Sequence, residues 1–384
     1  MIPYSRQQIT RQDIHAIAQV LRSKYLTTGP AVEAFETALC KLTGARYAIA
    51  CSNGTTALHL ACLAIGLGKG HIGITSPLTF LASANCIEYC GAKTAFVDID
   101  LATLCLSPAK LDEYCKTRKV PKVVIPVDYA GIPADLPAIH ALAKKYGFMV
   151  IEDAAHSIGS TYSYHGKTYQ CGSCAHTDIA TFSFHPVKNI TTGEGGAVLT
   201  NNARLAAKLR LLRSHGMTKD PALLSRKDGP WYYEMVDLGF NYRITDIQCA
   251  LGISQLKRLG KIKKQRQAIV REYNRIFTGI EGIVTPPWPK HASPCQHLYP
   301  IWFANGSRAR MAAYNTLAEN GIHAQVHYIP VYMQPYYVEK YGKQAGLCQN
   351  AERFYNACLS LPLYPELTKP QIKKIVELVV EVVV

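Results

Sequence analysis

The stretch that decides the fold covers residues 181–196 and reads TFSFHPVKNITTGEGG. An apolar run over 179–184 enters it, and a second apolar strand over 197–200 leaves it. The loop between these strands holds one lysine, Lys188. A lone lysine is most often a solvated surface residue, because its ammonium group prefers water. If Lys188 is partly buried, its pKa falls and its neutral amine becomes a nucleophile suited to Schiff-base chemistry.

Upstream of this stretch, short apolar segments alternate with amphipathic ones. The predicted strands are 47–51, 72–75, 94–97, 123–127 and 148–151. This alternation predicts an α/β fold with a mostly parallel central sheet flanked by helices. Ligands bind beyond the carboxyl ends of the strands in such sheets. Phe80, Asp128, Asp153, His156 and the Lys188 loop all lie at or just after a predicted strand end.

The first predicted strand runs into the turn SNGTT at 52–56, which is followed by a predicted helix over 57–67. Free backbone amides and the positive end of the helix dipole make such a turn an anion site. The turn lacks the lysine of a P-loop, so it suits one phosphate better than a triphosphate. An ordinary helix cap explains the same residues equally well, and the sequence leaves both interpretations open.

The 384 residues suffice for two or three domains. The sequence predicts a large domain over 1–255 and a smaller α+β C-terminal domain over 256–384. It contains no apolar run of about 18 residues, so no membrane span is expected. Thirteen cysteines are scattered along the chain, which favours reduced thiols and a cytoplasmic location over a disulfide framework.

The formal net charge of +15 raises a basic regulatory or nucleic-acid-binding protein as the non-enzymatic alternative. The basic residues are dispersed, however, and their densest cluster, 257–266, is typical of the solvated face of a helix. No nucleic-acid-binding signature accompanies them. A basic surface also suits a small acidic substrate such as a sugar carrying a diphosphate, and we favour that interpretation.

A CxxC pair, Cys171 and Cys174, is followed closely by His176. A structural zinc site needs four ligands at fixed spacings, and the sequence has no second CxxC. The pattern therefore favours an ordinary loop, with a zinc site as the alternative.

Taken together, six motifs in this order resemble the DegT/StrS family of sugar aminotransferases, fold type I enzymes that use pyridoxal 5′-phosphate (PLP). They are NGTTAL (53–58), PLTF (77–80), EDAAH (152–156), SFHPVK (183–188), TTGEGG (191–196) and FNYR (240–243). The segments RSHGM (213–217) and AQVHYIPVY (324–332) are most similar to the 4-aminotransferases of bacterial pseudaminic acid synthesis. The resemblance covers nearly the whole chain and implies an aspartate aminotransferase-like fold.

The resemblance implies a role for each residue around the cofactor. Lys188 would bond to PLP and then act as base and acid. Asp153 would pair with the pyridine nitrogen and keep it protonated, His156 would hydrogen-bond the cofactor's phenolate or orient the site, and Phe80 would stack on the ring. Each has a structural alternative: a helix cap for Asp153, a buried structural histidine for His156 and a core aromatic for Phe80.

The resemblance also implies phosphate and substrate contacts. Residues implied to bind the phosphate are Gly54, Thr55, Thr56 and Ser183, with Asn241 supplied by the other subunit of a homodimer with shared active sites. Asn241 has a structural alternative as the cap of a helix beginning near Thr245. Residues implied to lie near the sugar nucleotide are Thr27, Thr28, His297, Tyr299, His327 and Tyr328.

The implied reaction moves an amino group from L-glutamate, which leaves as 2-oxoglutarate, to C4 of a UDP-linked 4-keto-6-deoxy-N-acetylhexosamine. An alternative is another nucleotide keto-sugar, of the 3-amino or 4-amino-arabinose type. Sugar 3-dehydratases share the fold but carry histidine at the lysine position, so Lys188 argues against that class.

Overall fold

The computed structural model describes residues 1–226 and 228–383. The α-helices in this part of the chain are α1 (Arg11–Leu21), α2 (Pro30–Thr43), α3 (Gly54–Ala64), α4 (Ala82–Tyr89), α5 (Pro108–Thr117), α6 (Leu136–Tyr146), α7 (Ala203–Arg213), α8 (Asp246–Leu256), α9 (Leu259–Phe277), α10 (Ser307–Glu319), α11 (Pro335–Tyr341), α12 (Gln349–Ala357) and α13 (Lys369–Val380). None of these helices is both long enough and apolar enough to cross a bilayer.

The strands are short. They are β1 (Tyr47–Cys51), β2 (Ile72–Thr75), β3 (Lys93–Phe96), β4 (Val123–Ile125), β5 (Met149–Asp153), β6 (Thr161–Tyr164), β7 (Lys167–Gln170), β8 (Ile179–Ser183), β9 (Gly196–Thr200), β10 (Met217–Thr218), β11 (Glu234–Met235), β12 (Ile283–Val284), β13 (Ala292–Ser293), β14 (Tyr299–Phe303) and β15 (Cys358–Leu361).

Seven of these strands form the central sheet, in the order β1-β9-β8-β5-β4-β2-β3. The pairs from β8 to β3 are parallel, whereas β9 runs antiparallel to both β1 and β8. The prediction of a mostly parallel sheet is therefore confirmed. Strands β8 and β9 are buried along almost their whole length, as expected where helices cover both faces of a sheet. The loop that joins them carries Lys188 to the edge where β5 also ends.

A second core lies beyond α8, around the small sheet β12-β14-β15. Helix α9 links the two cores, because Leu259 packs in the first and Tyr273 and Phe277 pack in the second. The N-terminal Ile2 also packs in the second core, where it pairs with Ile322. The first residues of the predicted large domain thus lie against the smaller one. The division at 255/256 stays a prediction.

Candidate active site

A cavity of about 870 Å³ opens where β5 and β8 end. This volume is in the range typical of small-molecule sites. Eleven of the residues singled out in the sequence line it: Gly54, Thr55, Thr56, Phe80, Asp153, His156, Ser183, Lys188, His297, His327 and Tyr328. They come from residues 54–188 and from residues 297–328, so the site lies where these two parts of the chain meet.

Lys188 is half-buried in the wall of this cavity. Burial lowers the pKa of its amine to about 8, although Asp153 opposes the shift. The surrounding loop is held rigidly, because the Thr192 amide donates to the Phe184 carbonyl at 3.0 Å and the Asn189 side chain donates to the Cys295 carbonyl at 2.8 Å. The structure therefore places an amine that titrates near neutral pH at a defined point, rather than a solvated surface lysine.

Asp153 ends β5 and is 4% exposed. Its Oδ2 accepts a hydrogen bond from the Ser83 hydroxyl at 2.6 Å, and its Oδ1 accepts one from the Ala155 amide at 3.1 Å. Burial raises the pKa of this carboxyl. No helix begins between β5 and β8, so Asp153 is not a helix cap. A buried carboxylate with only neutral donors has room for a cation such as a pyridinium.

His156 is oriented by its two ring nitrogens. Its Nδ1 accepts a hydrogen bond from the Ala130 amide at 3.3 Å, which leaves the proton on Nε2, 3.3 Å from the Tyr328 hydroxyl. The His297 ring lies 4.4 Å away, centroid to centroid. Burial lowers the pKa of both histidines well below the usual range. The cavity wall is therefore made of neutral imidazoles that can exchange hydrogen bonds without carrying charge.

The turn before α3 contains a helix cap and an open group of backbone amides, which we call the phosphate cradle. The Asn53 side chain accepts from the Thr56 amide at 2.9 Å and caps the helix. The amides of Gly54 and Thr55 remain at the helix N-terminus, where an anion is favoured. A Cβ at residue 54 would lie 2.8 Å from the Ser183 Cβ, so glycine is needed for Ser183 to reach the cradle. The helix cap is observed, and the phosphate site stays a prediction that this arrangement supports.

A model of the DegT/DnrJ/EryC1/StrS aminotransferase family matches residues 7–380. The chain belongs to this family. It is a PLP-dependent sugar aminotransferase, and the residues present fit the cofactor: the amine, the buried acid and the phosphate cradle all face one cavity. Phe80 fits as well, because its ring is 56% exposed at the cavity instead of lying in the core.

Relatives of known description match along all or nearly all of this aminotransferase. The spore coat polysaccharide biosynthesis protein SpsC of Bacillus subtilis is 38% identical, covering 100% of this chain and 97% of its own. A UDP-4-amino-4,6-dideoxy-N-acetyl-beta-L-altrosamine transaminase of Campylobacter jejuni is also 38% identical, covering 96% and 93%. Both identities are high enough for the fold and the general chemistry to be shared.

Solved structures agree with this assignment. Helicobacter pylori PseC, an aminotransferase involved in the biosynthesis of pseudoaminic acid, superposes with a TM-score of 0.91 at 31% identity, covering 100% of this chain and 99% of its own. NtdA from Bacillus subtilis, solved with the bound cofactor PMP, superposes with a TM-score of 0.84 at 29% identity, covering 98% and 83%.

Four predicted site residues do not line the aminotransferase's cavity, and three of them, Thr27, Thr28 and Asn241, are exposed. Thr28 lines a separate small groove. Asn241 pairs with Ser214. Its alternative as a helix cap does not apply, because Thr245 caps α8 with its own side chain. The contact of Asn241 with the phosphate of another subunit stays a prediction.

The structure corrects the expectation for Tyr299. This residue is fully buried in β14, where its hydroxyl donates to the Asn274 side chain at 2.6 Å and its ring stacks on Tyr273. His297 lies two residues earlier and does reach the cavity, but strand β14 then carries the chain into the second core. Proximity in sequence to His297 does not bring Tyr299 to the site.

The CxxC residues have separate partners. The Cys174 thiol donates to the Leu199 carbonyl at 3.3 Å, and His176 Nδ1 lies 2.8 Å from the Tyr162 hydroxyl. Cys171 instead lies beside Asp128 and Glu152. The three side chains proposed as zinc ligands therefore do not converge on one point.

Two residues that the sequence analysis did not identify also contribute to the site. Ser83 binds Asp153, and Tyr4 lines the cavity from the N-terminal segment, which the Ser5 hydroxyl ties to the Val187 carbonyl at 3.1 Å. Neither residue belongs to a motif. Only folding brings them to the site, so no local signal could have identified them.

Proposed function

We propose that this aminotransferase moves an amino group from L-glutamate to C4 of a UDP-linked 4-keto-6-deoxy-N-acetylhexosamine, as in the pseudaminic acid pathway. The observation that carries the general proposal is one cavity that presents the Lys188 amine, the buried Asp153 carboxyl and the α3 cradle together. The choice of sugar is supported by the Campylobacter jejuni transaminase and by Helicobacter pylori PseC.

The residues of the chain then have distinct tasks. PLP, when bound, supplies the electron sink and carries the amino group between the two half-reactions. Lys188 Nζ holds or releases a proton beside the reacting carbon, for which a pKa of about 8 is well matched to neutral pH. The Asp153 carboxylate would stabilise the positive charge of the protonated pyridine nitrogen. Ser83 orients that carboxylate by donating a hydrogen bond to it.

The sugar would bind against the wall formed by the two cores. His297, His327 and Tyr328 line this wall with Tyr4. Burial lowers the pKa of His327 to about 4 and raises that of Tyr328. These side chains are therefore neutral hydrogen-bonding groups at pH 7, which suits the hydroxyl and N-acetyl groups of a sugar.

We also propose that the working unit is a homodimer with shared active sites. Asn241 is exposed beside apolar side chains that no part of the described chain covers, including Leu238 at 75% and Met235 at 64% exposure. A second copy packed here would cover these side chains and bring Asn241, Thr27 and Thr28 towards a neighbouring cavity. The polar residues would then complete the phosphate and sugar sites from the other subunit.

A second candidate is an aminotransferase for another nucleotide keto-sugar, of the 3-amino or 4-amino-arabinose type. The same cavity chemistry supports it, because nothing in the wall selects C3 or C4 by itself. A panel of UDP- and dTDP-linked 3-keto and 4-keto sugars, assayed with L-glutamate, separates the candidates. We expect the highest kcat/KM with the UDP-linked 4-keto-6-deoxy-N-acetyl sugar and amination at C4 by NMR of the product. A higher value with a dTDP or 3-keto sugar would contradict the proposed substrate.

A further inference from the structure

A turn behind the cavity contacts three of the histidines that line it. We call it the β4 turn, because it follows β4; it covers Tyr129–Gly131. The Ala130 amide donates to His156 Nδ1 at 3.3 Å, and the Ala130 carbonyl accepts from the His297 amide at 2.9 Å. The third contact, to His327, comes from the side chain of the first residue of the turn. The β4 turn does not line the cavity itself, so it acts on the site through these histidines.

The β4 turn is tightly held by its neighbours. The preceding residue, Asp128, accepts from the Ser157 hydroxyl at 2.6 Å and from the Ala134 amide at 2.8 Å. Gly131 has a φ of +94°, and a Cβ there would lie 2.5 Å from the Cys295 carbonyl oxygen. A glycine is therefore required for the turn to pack against this part of the chain. The turn is a firm support for the side chains that it contacts.

Tyr129 is fully buried, and its hydroxyl donates to the His327 carbonyl at 2.6 Å. Burial raises the pKa of this hydroxyl well above its usual range, so the hydroxyl keeps its proton and remains the donor. The ring is fixed as well, because it packs edge-on against Phe354 with 6.0 Å between the ring centroids. The acceptor of this hydrogen bond belongs to the peptide that joins His327 to Tyr328.

The 327–328 peptide carries two side chains that line the cavity. His327 Nδ1 is 2.9 Å from the Ser360 hydroxyl, and the Tyr328 hydroxyl is 3.3 Å from His156 Nε2. The Cys358 thiol makes a weaker contact with the same carbonyl at 3.8 Å. Any rotation of this peptide would move both side chains at once, because they are attached at its two ends.

We propose that Tyr129 is a positioning residue for the sugar: its hydroxyl fixes the 327–328 peptide and thereby places the His327 and Tyr328 side chains against the substrate. The inference rests on the proposed sugar wall, but not on which keto-sugar is the substrate. Tyr129 itself touches neither the sugar nor the cofactor.

The contacts that orient the cofactor side of the cavity come from elsewhere. Asp153 is oriented by Ser83 and by the Ala155 amide, and the loop of Lys188 is held through Asn189. Loss of the tyrosine hydroxyl leaves these contacts in place. The step in which glutamate delivers its amino group should therefore change less than the step in which the sugar receives it.

The first test compares Tyr129→Phe with a matched control, Tyr273→Phe. Tyr273 is also fully buried, its hydroxyl donates to the Pro362 carbonyl at 3.0 Å, and it does not line the cavity. Each variant loses one buried hydrogen bond from a tyrosine hydroxyl to a backbone carbonyl. Both should therefore lower the thermal midpoint of unfolding, whereas only Tyr129→Phe should alter the binding of the sugar.

Sugar binding is measured by calorimetry with UDP-N-acetylglucosamine, which carries the diphosphate and the N-acetyl group but no ketone. We expect its Kd to rise at least ~10-fold in Tyr129→Phe, because a buried carbonyl loses its donor, and to keep the parent value in Tyr273→Phe. In single-turnover experiments with the keto-sugar that the panel identifies, amination of the sugar should slow while the glutamate step stays close to the parent rate. Equal loss of both steps would overturn the proposal.

A second measurement also uses the unaltered sequence. His327–Tyr328 is the one His-Tyr pair in the chain. A holoenzyme with carbon-13 in the histidine carbonyls and nitrogen-15 in the tyrosines therefore gives one coupled NMR signal, from the 327–328 peptide. We expect this signal to shift when UDP-N-acetylglucosamine binds. Its carbonyl shift should also change in Tyr129→Phe and stay the same in Tyr273→Phe.

The two measurements separate failure of the sugar wall from failure of the present inference. A parent signal that stays in place when the sugar nucleotide binds would contradict the sugar wall, and with it the role of Tyr129. A parent signal that moves, together with a Tyr129→Phe enzyme that binds and aminates the sugar like the parent, would contradict the role of Tyr129 alone.

Discussion

At the scale of single residues, Lys188 is the group on which the chemistry depends. Lys188→Ala removes the amine that lines the cavity at the strand ends, so transamination should fall to background. Borohydride should no longer fix PLP to the chain, which mass spectrometry checks directly. Lys263→Ala is a suitable control, because burial also lowers the pKa of Lys263 but its ammonium binds the Gly159 carbonyl outside the cavity. A Lys188→Ala enzyme with the wild-type rate would contradict the assignment.

A second prediction at the scale of single residues concerns Asp153. Asp153→Asn keeps the shape of the side chain, and its Oδ1 can still accept from the Ala155 amide, whereas its Nδ2 can only donate to the Ser83 hydroxyl. The substitution removes the negative charge opposite the pyridine nitrogen. We expect kcat to fall at least ~100-fold, of order 3 kcal/mol in the barrier, with little change in the thermal midpoint of unfolding. An unchanged kcat would mean that Asp153 only stabilises its turn.

At the scale of elements, the ends of β4 and β5 hold two buried carboxyls, Asp128 and Glu152, together with Cys171. Burial raises the pKa of Glu152 well above its usual range, and repulsion from Asp128 adds to the shift. Burial also raises the pKa of Asp128 to about 6. The pair therefore holds a proton at pH values where ordinary carboxyls have released theirs. It lies beneath the turn whose Ala130 amide orients His156.

This pair predicts how stability depends on pH. Between the ordinary carboxyl value near 4 and the raised values, the folded chain binds a proton that the unfolded chain has released. Stability should therefore fall as pH rises, by up to about 1.4 kcal/mol per unit. Glu152→Gln should flatten this slope in urea unfolding between pH 5 and 8. Glu88→Gln is the control: despite burial, hydrogen bonds from Lys340 and Thr94 lower the pKa of Glu88, so its loss should not flatten the slope. An unaltered slope in Glu152→Gln would rule out the shared proton.

At the scale of the whole molecule, the proposed shared site predicts complementation between subunits. Asn241→Ala should weaken PLP binding by about 1.5–3 kcal/mol, because a donor to a charged phosphate is lost. When Lys188→Ala and Asn241→Ala chains are mixed, a mixed dimer would hold one site with both defects and one with neither. Activity at limiting PLP should then partly return. Normal PLP affinity in Asn241→Ala, with no recovery after verified subunit exchange, would exclude the shared site.

Much of the site followed from local pattern. Each strand end is marked by a switch from apolar to small or polar residues, and parallel strands end at one edge of the sheet. Asp153, His156 and Lys188 could therefore be placed together before any contact was known. The cap at Asn53 and the glycine at residue 54 are likewise local features, since both belong to one helix start.

The sequence by itself determined the fold class, the order of the strands along the chain and the chemistry of the lysine loop, because these depend on neighbours a few residues apart. Only the tertiary structure decided that Ser83 binds Asp153, that Tyr4 lines the cavity and that Tyr299 does not. It also decided the protonated nitrogen of His156, which depends on Ala130 and Tyr328. These contacts join segments that are far apart in the sequence, and their pairing is set by how the helices, strands and loops pack together, which no local periodicity records.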